Sequence, residues 1–155
     1  MSIKNLETIK YQQRLDDLFK KVKLIEDIEL QDHWARYLCI LVSGFLETSI
    51  SIIYTEYAQK CANSNIASYV EKQLKGFQNP NMTKILALAG SFNADWRKEL
   101  EKTTESQIKD SIDSVVRIRN GIAHGQIMGV RYVSIRDHYQ DAVKVVELIE
   151  KQCNP

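Results

Sequence analysis

Proline and glycine are scarce in this chain, two and six in 155 residues. So few turn formers disfavour a strand-and-turn fold and leave room for long helices. Cysteine is too sparse for a disulfide framework: Cys39, Cys61 and Cys153 are odd in number and no C-x-x-C occurs, so neither a stapled scaffold nor a zinc site is read. Reduced thiols in the cytoplasm are expected. An excess of one charge is also missing. A net charge of +1 gives no global basic field, which argues against a processive or high-affinity RNA binder but not against a local cluster. There is no Gly-rich phosphate loop, no G-x-S-x-G, no H-E-x-x-H and no trio of His, Asp or Glu at metal-ligand spacing, so no cofactor or metal is expected. Residues 1–7 lack the apolar core of a signal peptide. The most hydrophobic stretch, 37–54, is interrupted by Ser43, Gly44, Glu47, Thr48, Ser49 and Ser51. That pattern suits a helix buried in a bundle better than a membrane span.

What the chain does have is helical periodicity. With 44% hydrophobic and 26% charged residues it has the composition of a soluble globular protein, and its length predicts one domain, 1–155. Ile9, Leu15, Leu18, Phe19, Val22, Ile25 and Ile28 predict a first helix over 5–28. Asp32 can cap a long second helix over 33–61, and Asn63-Ser64-Asn65 breaks it. Ser64 or Asn65 then starts a short helix over 66–74, and Gly76 to Asn81 is the clearest loop. Helices over 83–92, 94–103 and 105–119 follow. Ser134-Ile135-Arg136-Asp137 has the form of a capping box opening a last helix over 134–152.

The chemistry concentrates in Arg119-Asn120-Gly121-Ile122-Ala123-His124-Gly125, where a helix runs out. An Arg that is always charged and a His that titrates near neutrality make a minimal kit for cutting RNA. The Arg can stabilise charge on a phosphate while the His moves the proton of a ribose 2′-hydroxyl or of the leaving oxygen. Five residues of ideal helix turn through about 500°, leaving the two side chains about 140° apart. Either Gly121 ends the helix in a left-handed conformation and folds His124 back, or a two-fold axis brings Arg and His together from two chains. Arg119 falls on the apolar stripe of Ile108, Ile112, Val115 and Val116, so it faces packed protein. Arg117, Arg131 and Arg136 cluster around it in sequence.

A helix ending in R-N-G-I-A-H-G, a short connection and a last helix to the C-terminus resemble the HEPN superfamily. Glu29-Leu30-Gln31-Asp32-His33-Trp34-Ala35-Arg36-Tyr37-Leu38 with Val42-Ser43-Gly44-Phe45-Leu46-Glu47 is similar to the second helix of its RiboL-PSP-HEPN branch. The resemblance covers nearly the whole chain. It implies an all-α, up-and-down helical bundle with additional short helices, and a homodimer. It also implies a metal-independent endoribonuclease, a toxin or phage-defence effector, with Arg119 and His124 catalytic and Asn120 their polar neighbour. RNA would be the substrate, and an antitoxin or regulatory protein a partner. A subgroup carries a Tyr two places after the His; here that place is Gln126, so its mode of control is not implied. The alternative is a non-catalytic module that binds nucleotide or protein and dimerises.

Arg36, Ser43, Glu47 and Tyr54, spaced by seven, four and seven, form a polar stripe on the apolar second helix. Unpartnered burial of such groups is costly, so they should be paired or line a cleft. One reading is an Arg36–Glu47 network that sets helix register. The other places the stripe under the Arg119/His124 cleft, with Glu47 orienting one of the two cations and Arg36 in support. His33 and His138 read as solvated or capping residues, and Tyr54, Tyr57 and Tyr69 as core.

Overall fold

The structure, a computed structural model, describes residues 3–155, and among these the chain forms seven α-helices and no strand. These are α1 (Leu6–Lys23), α2 (Ile28–Cys61), α3 (Ser64–Leu74), α4 (Met82–Phe92), α5 (Ala94–Thr103), α6 (Gln107–Ala123) and α7 (Tyr132–Cys153). Short polar side chains start most of them by accepting an orphan N–H of the first turn. Asn5 accepts from Thr8, Asp27 from Leu30, Asn63 from Ile66, Asn81 from Lys84, and Asn93 from Asp95 and Trp96.

α2 is the axis of the bundle. Its 34 residues span about 51 Å, and it packs against α1, α3, α6 and α7. By length and composition α2 could cross a membrane. Here its buried side, from Ala35 and Leu38 through Phe45, Leu46 and Ile50 to Tyr54, belongs to one core cluster shared with α1, α6 and α7. The α1–α2 and α6–α7 hairpins supply the four long helices, and α3 to α5 form the excursion between them.

Several boundaries differ from the sequence expectation, the larger shifts for local reasons. α1 stops at Lys23, because the carboxylate of Asp27, not Asp32, caps α2 and draws its start back to Ile28. Gln31 Nε2 meets the Val22 carbonyl, which also accepts the Ile25 N–H, at 3.2 Å. Asp32 lies inside α2 and faces Arg131 at 3.6 Å. α7 begins at Tyr132, and Ser134 forms no capping box. Burial of Tyr132, whose hydroxyl donates to Phe19 O at 3.0 Å, fixes the start instead. α6 outruns its expected end, with consequences for the site.

Among the expected core tyrosines, Tyr54 is fully buried and stacked on Phe92 at 4.6 Å, and Tyr57 is partly buried against the same ring. Tyr69 is exposed on the short α3, which is too brief to bury both faces. All three cysteines are free thiols.

Candidate active site

α6 does not end at Gly121. It continues to Ala123 and stops at Gly125, whose φ of 73° is the left-handed turn. The Gly125 N–H bonds Ile122 O at 3.0 Å and the Gln126 N–H bonds Gly121 O at 2.9 Å. Those two bonds are the Schellman arrangement, which satisfies the last carbonyls and fixes His124 as the C-cap residue. Of the two routes open in the sequence, the left-handed break at Gly121 is therefore excluded. Gly121 is needed for a different reason: a Cβ there would lie 2.5 Å from Met128 Sδ and 3.2 Å from Gln126 Oε1. The chain after the motif folds back over the bare glycine.

An unbroken helix separates the expected pair. Arg119 lies on the side of α6 that faces α2. There Cys39 packs between the Val115 carbonyl, 3.5 Å from its sulfur, and the Arg119 N–H. Burial pushes the Cys39 thiol up to about 12, so it stays protonated. His124, about 140° away around the helix, opens into a cavity of about 490 Å³ between α6 and the start of α4. Asn120, Gly121 and Arg117 share that face with it, because four, three and seven residues leave about 40°, 60° and 20° around the axis. Asn81, Thr83 and Gln126 complete the lining, with Asp113 at the far end. Asn120 links the two sides: it lines the cavity, and its Oδ1 accepts from Arg119 Nη1 at 3.3 Å.

The polar stripe of α2 does not form a single network. Arg36 Nε donates to the Met128 carbonyl at 3.0 Å, and its Nη1 meets His33 Nδ1 at 2.9 Å. Arg36 thus holds the loop that lies over Gly121 and acts on the motif by position. Glu47 is remote from Arg36 in its bonding. Its Oε1 accepts the Asn79 N–H at 3.2 Å, and it lines a second cleft with Glu7, Glu56 and Glu71. Within one chain it orients neither Arg119 nor His124. The hydroxyls of Ser43 and Tyr54 are buried without a hydrogen-bond partner.

His138 is not solvated as expected. Its ring is half-buried, with Nδ1 3.0 Å from Ser111 Oγ, and Ser111 lies 2.6 Å from the buried Asp141. The short Ser111–Asp141 contact commits the hydroxyl proton to the carboxylate, so Ser111 accepts from His138 Nδ1–H. A nucleophilic triad needs the His between Ser and Asp; here the Ser is central and its proton points away from the imidazole. Lys144 Nζ completes the set at 3.2 Å from Asp141. This cluster ties α6 to α7. His33 is exposed, as expected, near Glu29 at 4.0 Å. Among the described residues no three His, Cys, Asp or Glu side chains gather to hold a metal ion.

Sequence reasoning named Arg117 only as part of a basic cluster and missed Asn81, Thr83 and Asp113. The i, i+3, i+7 spacing of Arg117, Asn120 and His124 signals a common face, but only if the helix runs through Gly121. Asn81, the N-cap of α4, and Thr83 within it are remote in sequence and carried no such signal.

A family model described as RiboL-PSP-HEPN matches residues 6–155 of this chain. No curated protein and no solved structure matches it.

Proposed function

Because the chain belongs to the RiboL-PSP-HEPN family, we propose that it is a metal-independent endoribonuclease, acting as a toxin or phage-defence effector. HEPN domains are often ribonucleases. The observation that carries the reading is the presentation of His124: a Schellman stop sets it at the mouth of a cavity, with Asn120 between it and Arg119. In the proposed reaction the ribose 2′-oxygen attacks the adjacent phosphorus and the bond to the 5′-oxygen breaks. His124 takes the 2′-hydroxyl proton or supplies the one the 5′-oxygen needs, and Arg119 stabilises the charge on the phosphoryl oxygens. The products are a 2′,3′-cyclic phosphate and a free 5′-hydroxyl.

The separation of Arg119 from His124 favours a site shared across a two-fold axis, with Arg from one protomer and His from its partner. A surface suited to that contact lies beside the motif. Leu30, Trp34, Tyr37 and Ile40 are exposed on α2, and Trp34 and Tyr37 stack edge to face at 5.8 Å. Ile127, in the loop anchored by Arg36, is almost fully exposed. Apolar groups gathered this way on a free surface mark an interaction site.

The same separation also supports the alternative, a non-catalytic module in which the motif holds a phosphate or builds the dimer. Incubating the protein with total RNA in EDTA, beside His124→Ala, and mapping the ends decides between them. Cyclic phosphate ends that disappear in His124→Ala are expected. Activity lost in EDTA and recovered with magnesium would overturn the mechanism, and RNA left intact by the wild-type protein would favour the module.

A further inference from the structure

We propose that Arg117 is the substrate-binding arginine of the His124 cavity, gripping an RNA phosphate next to the scissile one. The inference rests on the nuclease reading but concerns a different residue from the motif pair. Four arginines surround the motif, and three are engaged. Arg131 faces Asp32 at 3.6 Å, Arg136 pairs with Asp137 at 3.0 Å, and Arg119 bonds Asn120. Arg117 is exposed, and among the described residues it has neither an ion pair nor a hydrogen bond. It is nevertheless the arginine that lines the cavity with His124.

The register supports the assignment. Seven residues turn through nearly two full turns and rise about 10.5 Å, so Arg117 and His124 stand in line along one groove wall with Asn120 between them. A single strand laid along α6, with its reacting phosphate at His124, would carry its next phosphate towards Arg117. Asp113, one turn further, carries the opposite charge. Its carboxylate is occupied, accepting the Met82 N–H at 2.9 Å and facing Lys109 at 3.8 Å, so it does not claim Arg117. It does end the run of favourable contacts, which gives the groove a length of about two turns. The guanidinium's fork of donors suits a phosphate, and a free cation facing a cleft is an unspent binding group.

The test measures binding separately from cutting. In a His124→Ala background, the affinity for a single-stranded RNA oligonucleotide is measured across a salt series, with and without Arg117→Gln and Arg117→Lys. Loss of one phosphate contact should flatten the slope of log affinity against log salt by about 0.7 and weaken binding about tenfold at low salt. Arg117→Lys should keep most of the slope. With His124 restored, Arg117→Gln should raise KM more than it lowers kcat. An unchanged slope and KM in Arg117→Gln, in a protein that still cuts RNA, overturn this assignment and leave the nuclease reading intact. A protein that cuts nothing but shows the slope change retains the phosphate grip and loses the nuclease reading. Absence of RNA binding in the parent overturns both.

Discussion

α6 carries two polar sets less than three turns apart, and the fold treats them in opposite ways. Near its start, Ser111 meets His138 and Asp141 in a buried cluster in which the hydroxyl, carboxylate and imidazole Nδ1 all have partners. Near its end, Arg117, Asn120 and His124 open into a cavity, and Arg117 has no partner among the described residues. Residue type does not separate them, since each set includes a His and a hydrogen-bonding neighbour. What separates them is whether the polar capacity is already used. In the buried cluster the Ser111 hydroxyl bonds both the Asp141 carboxylate and His138 Nδ1 across the helix boundary, which contributes to holding α6 on α7. The exposed set has unsatisfied capacity facing solvent, where a ligand can meet it.

The comparison can be broken by substitution, and the largest expected effect is at the open end. His124→Ala should lower RNA cleavage on the order of 10²–10⁴-fold while stability stays within about 0.5 kcal/mol of wild type, because the ring is exposed. A variant that loses activity by unfolding, seen as a lowered thermal midpoint, would move His124 into the structural class. The closed cluster should behave in reverse. Asp141→Ala strips Ser111 and Lys144 of their acceptor and should cost about 2–3 kcal/mol in urea unfolding, with near-normal cleavage by the protein that remains folded. A stable but inactive Asp141→Ala would show that the cluster serves the chemistry.

A smaller effect sharpens the boundary between the two. Gly125 holds φ 73°, where a Cβ is strained by about 1–2 kcal/mol. Gly125→Ala should therefore lose about that much stability and also lower activity, since the turn that sets His124 is the one disturbed. Full activity in a destabilised Gly125→Ala would mean that His124 needs no fixed C-cap position.

The smallest expected effect is a pH dependence. Burial lowers the pKa of His138, against the pull of the Asp141 and Asp137 carboxylates, with the Arg117 charge adding to the decrease. The unfolded ring takes up its proton near pH 6.5 and the folded ring only at lower pH. Between those values the unfolded state binds more protons, so this residue's share of stability is intact above about pH 6.5 and is lost on acidification through the folded value. Urea midpoints at several pH values should fall more steeply on the acid side for wild type than for His138→Asn. Identical profiles would remove His138 from the account.

The helices were largely legible in the sequence; this contrast was not. The apolar spacing placed most helices, and the R-N-x-x-x-H pattern located the candidate site. The misreadings share a cause: periodicity records burial but not the direction of the chain at its ends. Ile25 and Ile28 continue the spacing of α1 across a turn that Asp27 makes, so the break was invisible. Gly121 and Gly125 look alike in a string of letters, yet one is a close approach inside a helix and the other its left-handed stop. Glu47 shares a stripe with Arg36, but its carboxylate turns to a loop N–H contributed by Asn79, which spacing along one helix cannot reveal. Pairings between distant segments, such as Arg36 with Met128 or His138 with Ser111, exist only once the helices are packed.

One chain holds Arg119 and His124 about 140° apart around α6, and the proposed working site takes one from each of two protomers. Complementation tests it most directly: Arg119→Ala and His124→Ala proteins, each inactive alone, are mixed under subunit exchange and assayed for cyclic phosphate ends. Random pairing makes half the dimers mixed, each with one intact site of two, so the mixture should recover roughly a quarter of wild-type activity. A mixture in which heterodimers form but cleave no more RNA than either variant alone would contradict the shared site.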